Sequence, residues 1–183
     1  MSAIISLCER NGVIPGLITE NISSISWKAV DDVTTPYSSY NAVLNLGNNS
    51  YTVYNYFKFT GVFTSIGNVS VTHLTGTLPS GVKLMSNPTI TQTSNRPLYI
   101  TPTTATTSIT SNDLSSVGSS VNLLIGPAPN NVDGAGADGK SNAAGNSGTP
   151  LYSTYFITQL QVAINANAGD LNNVILQVSY NEV

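Results

Sequence analysis

From about residue 40 onward, apolar and polar residues alternate with a period of two. No stretch of ten or more residues carries an apolar stripe at helical spacing. The pattern predicts an all-β chain. Tyr51 to Thr60 is rich in aromatic and β-branched residues, and Val69 to Leu74 resumes the alternation after Gly61, Gly67 and Asn68. These two runs read as adjacent strands. Leu78-Pro79-Ser80-Gly81 is a turn signal before a short strand at Val82 to Met85, and Asn87-Pro88 is another break. Leu98 to Thr101 and Val121 to Ile125 read as two more strands. Pro102 to Ser120, almost wholly Thr, Ser and Asn, reads as an edge strand or a surface traverse.

The C-terminal third carries the clearest alternation. Thr154 to Ile164 places Phe156, Leu160, Val162 and Ile164 on one face, and Val174 to Tyr180 does the same with Val174, Leu176, Val178 and Tyr180. With Asn167 to Asp170 as a turn between them, the pair predicts a long antiparallel hairpin. Many short strands separated by frequent turns predict an antiparallel two-sheet sandwich, jelly-roll-like, over residues 21–183. Residues 1–20 read as an N-terminal arm, because Gly12, Pro15 and Gly16 break any regular element around the apolar pieces Ala3 to Leu7 and Val13 to Ile18. Such an arm either folds back as an edge strand or clasps a neighbouring subunit. Residues 127–150, made of Pro, Asn, Gly, Ala and Asp, read as a long Gly-rich loop within the sandwich domain.

Composition bears on what such a domain does. Only 8% of residues are charged, while Ser, Thr and Asn supply about a third of the chain. Hydroxyls and amides are less strongly hydrated than Lys and Glu, so a neighbour can cover them at smaller desolvation cost. Disorder does not fit a chain that is 40% hydrophobic with nine Tyr, four Phe and one Trp. The net charge of −3 and the scatter of Arg10, Lys28, Lys58, Lys83, Arg96 and Lys140 offer no basic stripe for nucleic acid. No stretch approaches the ~20 apolar residues of a membrane span. The apolar run Ala3 to Cys8, with no basic region before it, is too short for a signal peptide, so the expected place of synthesis is a cytoplasm.

Motifs for chemistry are weak. Gly134 to Ser141 matches the letters of a phosphate-binding loop, but it lacks the preceding buried strand and the following helix that aim amides at an anion. Asp133 and Asp138 lack the alternating oxygen donors of a calcium loop. His73, the single histidine, has no Ser, Cys or Asp partner in a recognisable motif and reads as a half-buried strand residue. Asp31 and Asp32, adjacent, would point to opposite faces of a strand and make a poor acid/base pair. The lone Cys8 cannot form an internal disulfide and reads as a small buried hydrophobe. The sequence therefore predicts no enzyme, cofactor or metal. Tyr37, Tyr40, Tyr51, Tyr54 and Tyr56 form the densest aromatic patch, open to two readings: sheet packing, or stacking on a sugar or partner.

Phe59-Thr-Gly-Val-Phe63 with Asn68-Val-Ser-Val71, Leu98 to Thr103, Tyr155 to Val162 with Ala168-Gly169, and Leu176 to Glu182 resemble, in that order, small virion proteins of tailed bacteriophages. The resemblance spans roughly residues 50–183 and leaves the 127–150 loop outside its pattern. It implies a β-sandwich subunit that decorates or cements a capsid, with the major capsid protein as partner, often as a homotrimer with arms reaching neighbours. The expected place is the capsid surface of a virion assembled in a bacterial cytoplasm. The expected partner-binding residues are Ile4, Ile5, Leu7, Val13, Ile14, Leu17, Tyr37 and Tyr40. The alternative is a fibre or adhesin module that binds host glycans through the Tyr-rich face or the 127–150 loop.

Overall fold

The computed structural model describes residues 2–36, 43–90, 92, 96–104, 109, 111–127, 142–144, 149–167 and 172–183. Among them there is no helix, and so none long and apolar enough to cross a membrane. Two antiparallel sheets enclose one principal core. The larger has eight strands: β1 (Ile4–Asn11), β2 (Leu17–Thr19), β3 (Val53–Thr60), β5 (Val82–Ser86), β6 (Asn112–Asp113), β8 (Ile125–Gly126), β10 (Leu151–Ser153) and β11 (Phe156–Val162). Its main path runs β2-β1-β3-β11-β5-β6, with β10 joining β3 to β8. The smaller sheet sets β4 (Ser65–Thr77) between β12 (Asn172–Glu182) and β7 (Ser120–Asn122), and β9 (Asn142–Ala144) also pairs with β4.

Alternation places the core. On β3, Val53, Phe57 and Phe59 face the sandwich interior. They meet Phe156 and Leu160 of β11 and, from the opposite sheet, Ile66, Val69 and Val71 of β4. Each such side chain removed from water contributes roughly 1.5–3 kcal/mol. The other face of β3 is buried as well. Tyr54 and Tyr56 pack with Tyr99, Tyr152, Tyr155, Ile157 and Ile109 in a second cluster on the outer side of the large sheet. Tyr54 meets Tyr99 and Tyr155 edge-on, with ring centroids 4.9 and 5.5 Å apart. Leu98 to Thr101 is not a strand: it lies over this outer face, burying Tyr99 while Leu98 and Ile100 point away.

Several expectations are corrected here. Residues 4–11 are not a free arm, because β1 pairs with β3 from Ile4↔Thr60 to Arg10↔Tyr54, and β2 lies outside it. Of the two readings of the N-terminal segment, folding back is the one observed. The predicted C-terminal hairpin is not formed: β11 pairs with β3 and β5 in the large sheet, whereas β12 pairs with β4 in the small one. Likewise β3 and β4 belong to opposite sheets and face each other across the core. Ile164 lies beyond the end of β11 and is 78% exposed. Val121 to Ile125 divides into β7 and β8, one in each sheet. Gly67 and Asn68 do not end a strand but sit in a bulge within β4. Asn68, at φ 51°, and Val69 together oppose Tyr180 of β12, which lets both Ile66 and Val69 face inward.

Candidate partner-binding surface

The turn between β1 and β2 is held from beneath. The Gly12 amide donates to Asp31 Oδ2 at 2.7 Å, the Tyr99 hydroxyl donates to the Gly12 carbonyl, and the Ile14 amide donates to Thr101 Oγ1 at 3.2 Å. The Gly16 amide donates to the Val13 carbonyl at 2.7 Å, closing the turn. Gly16 has φ 73°, and a Cβ there would lie 2.7 Å from the Tyr99 hydroxyl, so only glycine fits. Below the turn, the buried Arg10 guanidinium lies 4.8 Å from the Tyr99 ring centroid and donates to the Tyr155 hydroxyl at 3.1 Å. Burial raises the Tyr99 and Tyr155 hydroxyls above their ordinary value, so both remain neutral hydrogen-bonding groups.

With its polar groups directed inward, the turn presents apolar side chains outward. Val13 and Leu17 are each 77% exposed, and Ile14 and Ile18 are nearly half exposed. Leu98 and Ile100, flanking the buried Tyr99 that anchors the turn, stand exposed beside them. These side chains form an exposed apolar ridge around a hydrogen-bonded hairpin tip, with Leu17 on one face of β2 and Ile18 on the other, an arrangement expected of a tip meant to be covered.

The structure thus brings Val13, Ile14 and Leu17 together. Ile4 is exposed at the opposite end of β1, roughly 23 Å from Asn11 at the usual strand rise. Ile5 and Leu7 face the sandwich interior and pack partly against its core, so they are not part of the ridge. Tyr37 and Tyr40 lie outside the described residues, as does most of the segment 127–150 with its phosphate-loop-like letters, while Asn142–Ala144 within it is not loop but strand β9, paired with β4. Ile18 belongs to the apolar piece Val13 to Ile18 that the sequence offers to a neighbour, whereas Leu98 and Ile100 are not among the expected surface residues. The alternation Leu98-Tyr99-Ile100 did show that Tyr99 and its neighbours point opposite ways, but not which side is wet.

Other candidate chemistry is absorbed into structure. Tyr54 and Tyr56 are 3% and 2% exposed, which removes them from any sugar-stacking face. His73 is fully buried, with Nδ1 2.7 Å from the Leu114 carbonyl and Nε2 3.0 Å from the Thr75 carbonyl. Asp31 and Asp32 are held separately, Asp31 by Gly12 and Asp32 by the amides of Thr34 and Thr35 and the Thr35 hydroxyl. The Thr35 hydrogen bonds draw the Asp32 carboxyl down to about 2. Cys8 is a buried free thiol raised by burial. Beside the hairpin a cleft of about 380 Å³ is lined by Glu9, Thr19, Asn21, Ile22, Asp32 and Thr34, among others. Burial pushes the Glu9 carboxyl up to about 7, against smaller opposing effects of Asn55 and Lys28. No group of three or more His, Cys, Asp or Glu among the described residues is placed to hold a metal ion. Compared with family models, curated proteins and solved structures, the chain matches none.

Proposed function

We propose that this β-sandwich is a structural virion protein that binds the outer surface of a tailed-bacteriophage capsid and stabilises or decorates the shell, with the major capsid protein as its partner. The observation that carries the reading is the exposed apolar ridge of Val13, Ile14, Leu17, Ile18, Leu98 and Ile100 around the hairpin tip. The neutral hydroxyl and amide composition supports it, because a neighbour can cover the surroundings of the ridge without stripping strongly hydrated charges. The resemblance of residues 50–183 to small phage virion proteins supplies the partner class.

Stabilisation follows from mass action: a protein that binds only the assembled shell favours that state over its ruptured products. The direct test compares particles made with and without the protein as they are disrupted by heat or chelator. Particles carrying it are expected to survive harsher treatment, and equal survival would remove the stabilising role. A V13S/L17S variant is expected to keep its thermal midpoint, because neither side chain contributes to the core. Its affinity for shells is expected to fall by about a hundredfold or more, since two apolar side chains no longer become buried on binding. Undiminished binding would place the contact elsewhere.

A further inference from the structure

Among the described residues, the small sheet ends on an open edge: the 11-residue β12 pairs with β4 and with no other strand. The devices that usually protect such an edge are sparse: Asn172 to Glu182 contains no Lys and no Pro, and its one charge, Glu182, is engaged by the Ala3 amide at 3.0 Å. The inward row is also incompletely covered. On β4, Ile66, Val69, Val71 and His73 are no more than 1% exposed, whereas Val174, Leu176, Val178 and Tyr180 on β12 are all only partly buried. β12 lies at the margin of the four-stranded sheet, where its apolar row packs against the core but is only partly buried.

We infer that β12 pairs antiparallel with β12 of a second copy, joining the two small sheets across a two-fold axis. The strand is its own complement. An axis normal to the sheet keeps inward residues inward, so the two partly covered apolar rows meet. The extra residues at the register shifts next to Leu176 and beyond Ser179 lie on β4, so β12 itself runs regularly from Ile175 to Asn181, and the axis falls within that stretch. Centred on Val178, the pairing sets Leu176 against Tyr180 and Gln177 against Ser179, with Val178 facing itself. No like charges come into register, because the outward row Ile175, Gln177, Ser179 and Asn181 is uncharged. A different protein's strand would need its own matching row, whereas a second copy supplies one wherever the chain is present. The two-fold contact stands in place of the three-fold association that the resemblance implies, and it is independent of the hairpin ridge.

The purified full-length chain should have twice its 19.2 kDa mass in light scattering and native mass spectrometry. A Q177K/S179K variant places like charges opposite one another across the axis, on side chains that point to solvent in one copy. It should become monomeric at concentrations where the unaltered chain is dimeric, while still unfolding in a single cooperative transition. A Q177C/S179C variant should oxidise to a covalent dimer. A monomeric unaltered chain, or an oligomer that survives both lysines, would overturn the inference. The V13S/L17S variant should remain dimeric, so a failure of shell binding is distinguishable from a failure of pairing.

Discussion

Glu9 lies on the inward row of β1 opposite Asn55, in a chain with few charges to spare, and is only 7% exposed. Its carboxyl ordinarily titrates near 4.5 and is pushed up to about 7 by burial. The folded state therefore holds this proton more tightly than the unfolded chain does. Stability from this group is greatest in acid, falls as pH rises from about 4.5 to about 7, and is at its lowest above that. Asp32 acts in the opposite sense: its contribution is present above 3.8 and lost as pH falls toward 2. A Glu9→Gln variant is accordingly expected to be more stable than the unaltered chain at pH 8, by up to about 3 kcal/mol, and equal to it near pH 4. Denaturant unfolding at both values checks this, and a less stable variant at pH 8 would mean that Lys28 outweighs burial. His73 closes a different gap. Its ring lies against the carbonyls of Leu114 and Thr75 inside the small sheet. His73→Ala removes the donor and leaves a cavity, with an expected loss of about 2–4 kcal/mol in the same measurement.

At the scale of elements, β1 is the clearest departure from expectation. Its inward residues Ile5 and Leu7 pair with Phe59 and Phe57, and its outward Cys8 and Arg10 pair with Tyr56 and Tyr54. A segment so placed cannot be dispensable. Deleting residues 2–11 is expected to abolish cooperative thermal unfolding, because it exposes an edge of β3 and uncovers both the core and the tyrosine cluster. A folded deletion product would show the segment to be an appendage after all. The same two-sided burial accounts for the aromatic density of β3, where tyrosines on one face and phenylalanines on the other reach separate clusters. Among its described residues, the stretch Pro102 to Ser120 is poor in apolar side chains yet buries Ile109 and Leu114, with Asn112–Asp113 and Ser120 in strands.

For the whole molecule, the unequal sheets matter most. The large sheet is buried on both faces along β3 and β11, and one end of it carries the apolar ridge. The small sheet is one-sided and ends on β12. The two surfaces that call for cover are therefore an outward hairpin tip and an open strand edge. We propose different partners for them, a shell for the hairpin tip and a second copy for the strand edge. Charge does not decide either contact, because the ion pairs Lys58–Glu20 and Lys83–Asp113 are exposed and contribute little.

The period-two alternation and the scarcity of helical spacing were sufficient for the all-β class and for most inward rows, because a pleated strand must send successive side chains to opposite faces. The apolar hairpin residues Val13, Ile14 and Leu17 were legible for a similar reason: three such residues around Pro15 and Gly16 have no regular element to bury them. Sheet membership was not legible. Strands on opposite sheets face one interior, so β11 and β12 carry the same alternation whether they pair with each other or across the core from each other. Nor could local pattern show that both faces of β3 are buried, or that Leu98 and Ile100 stand beside the hairpin. Those facts depend on which distant segment lies over a given face, and only long-range packing decides that.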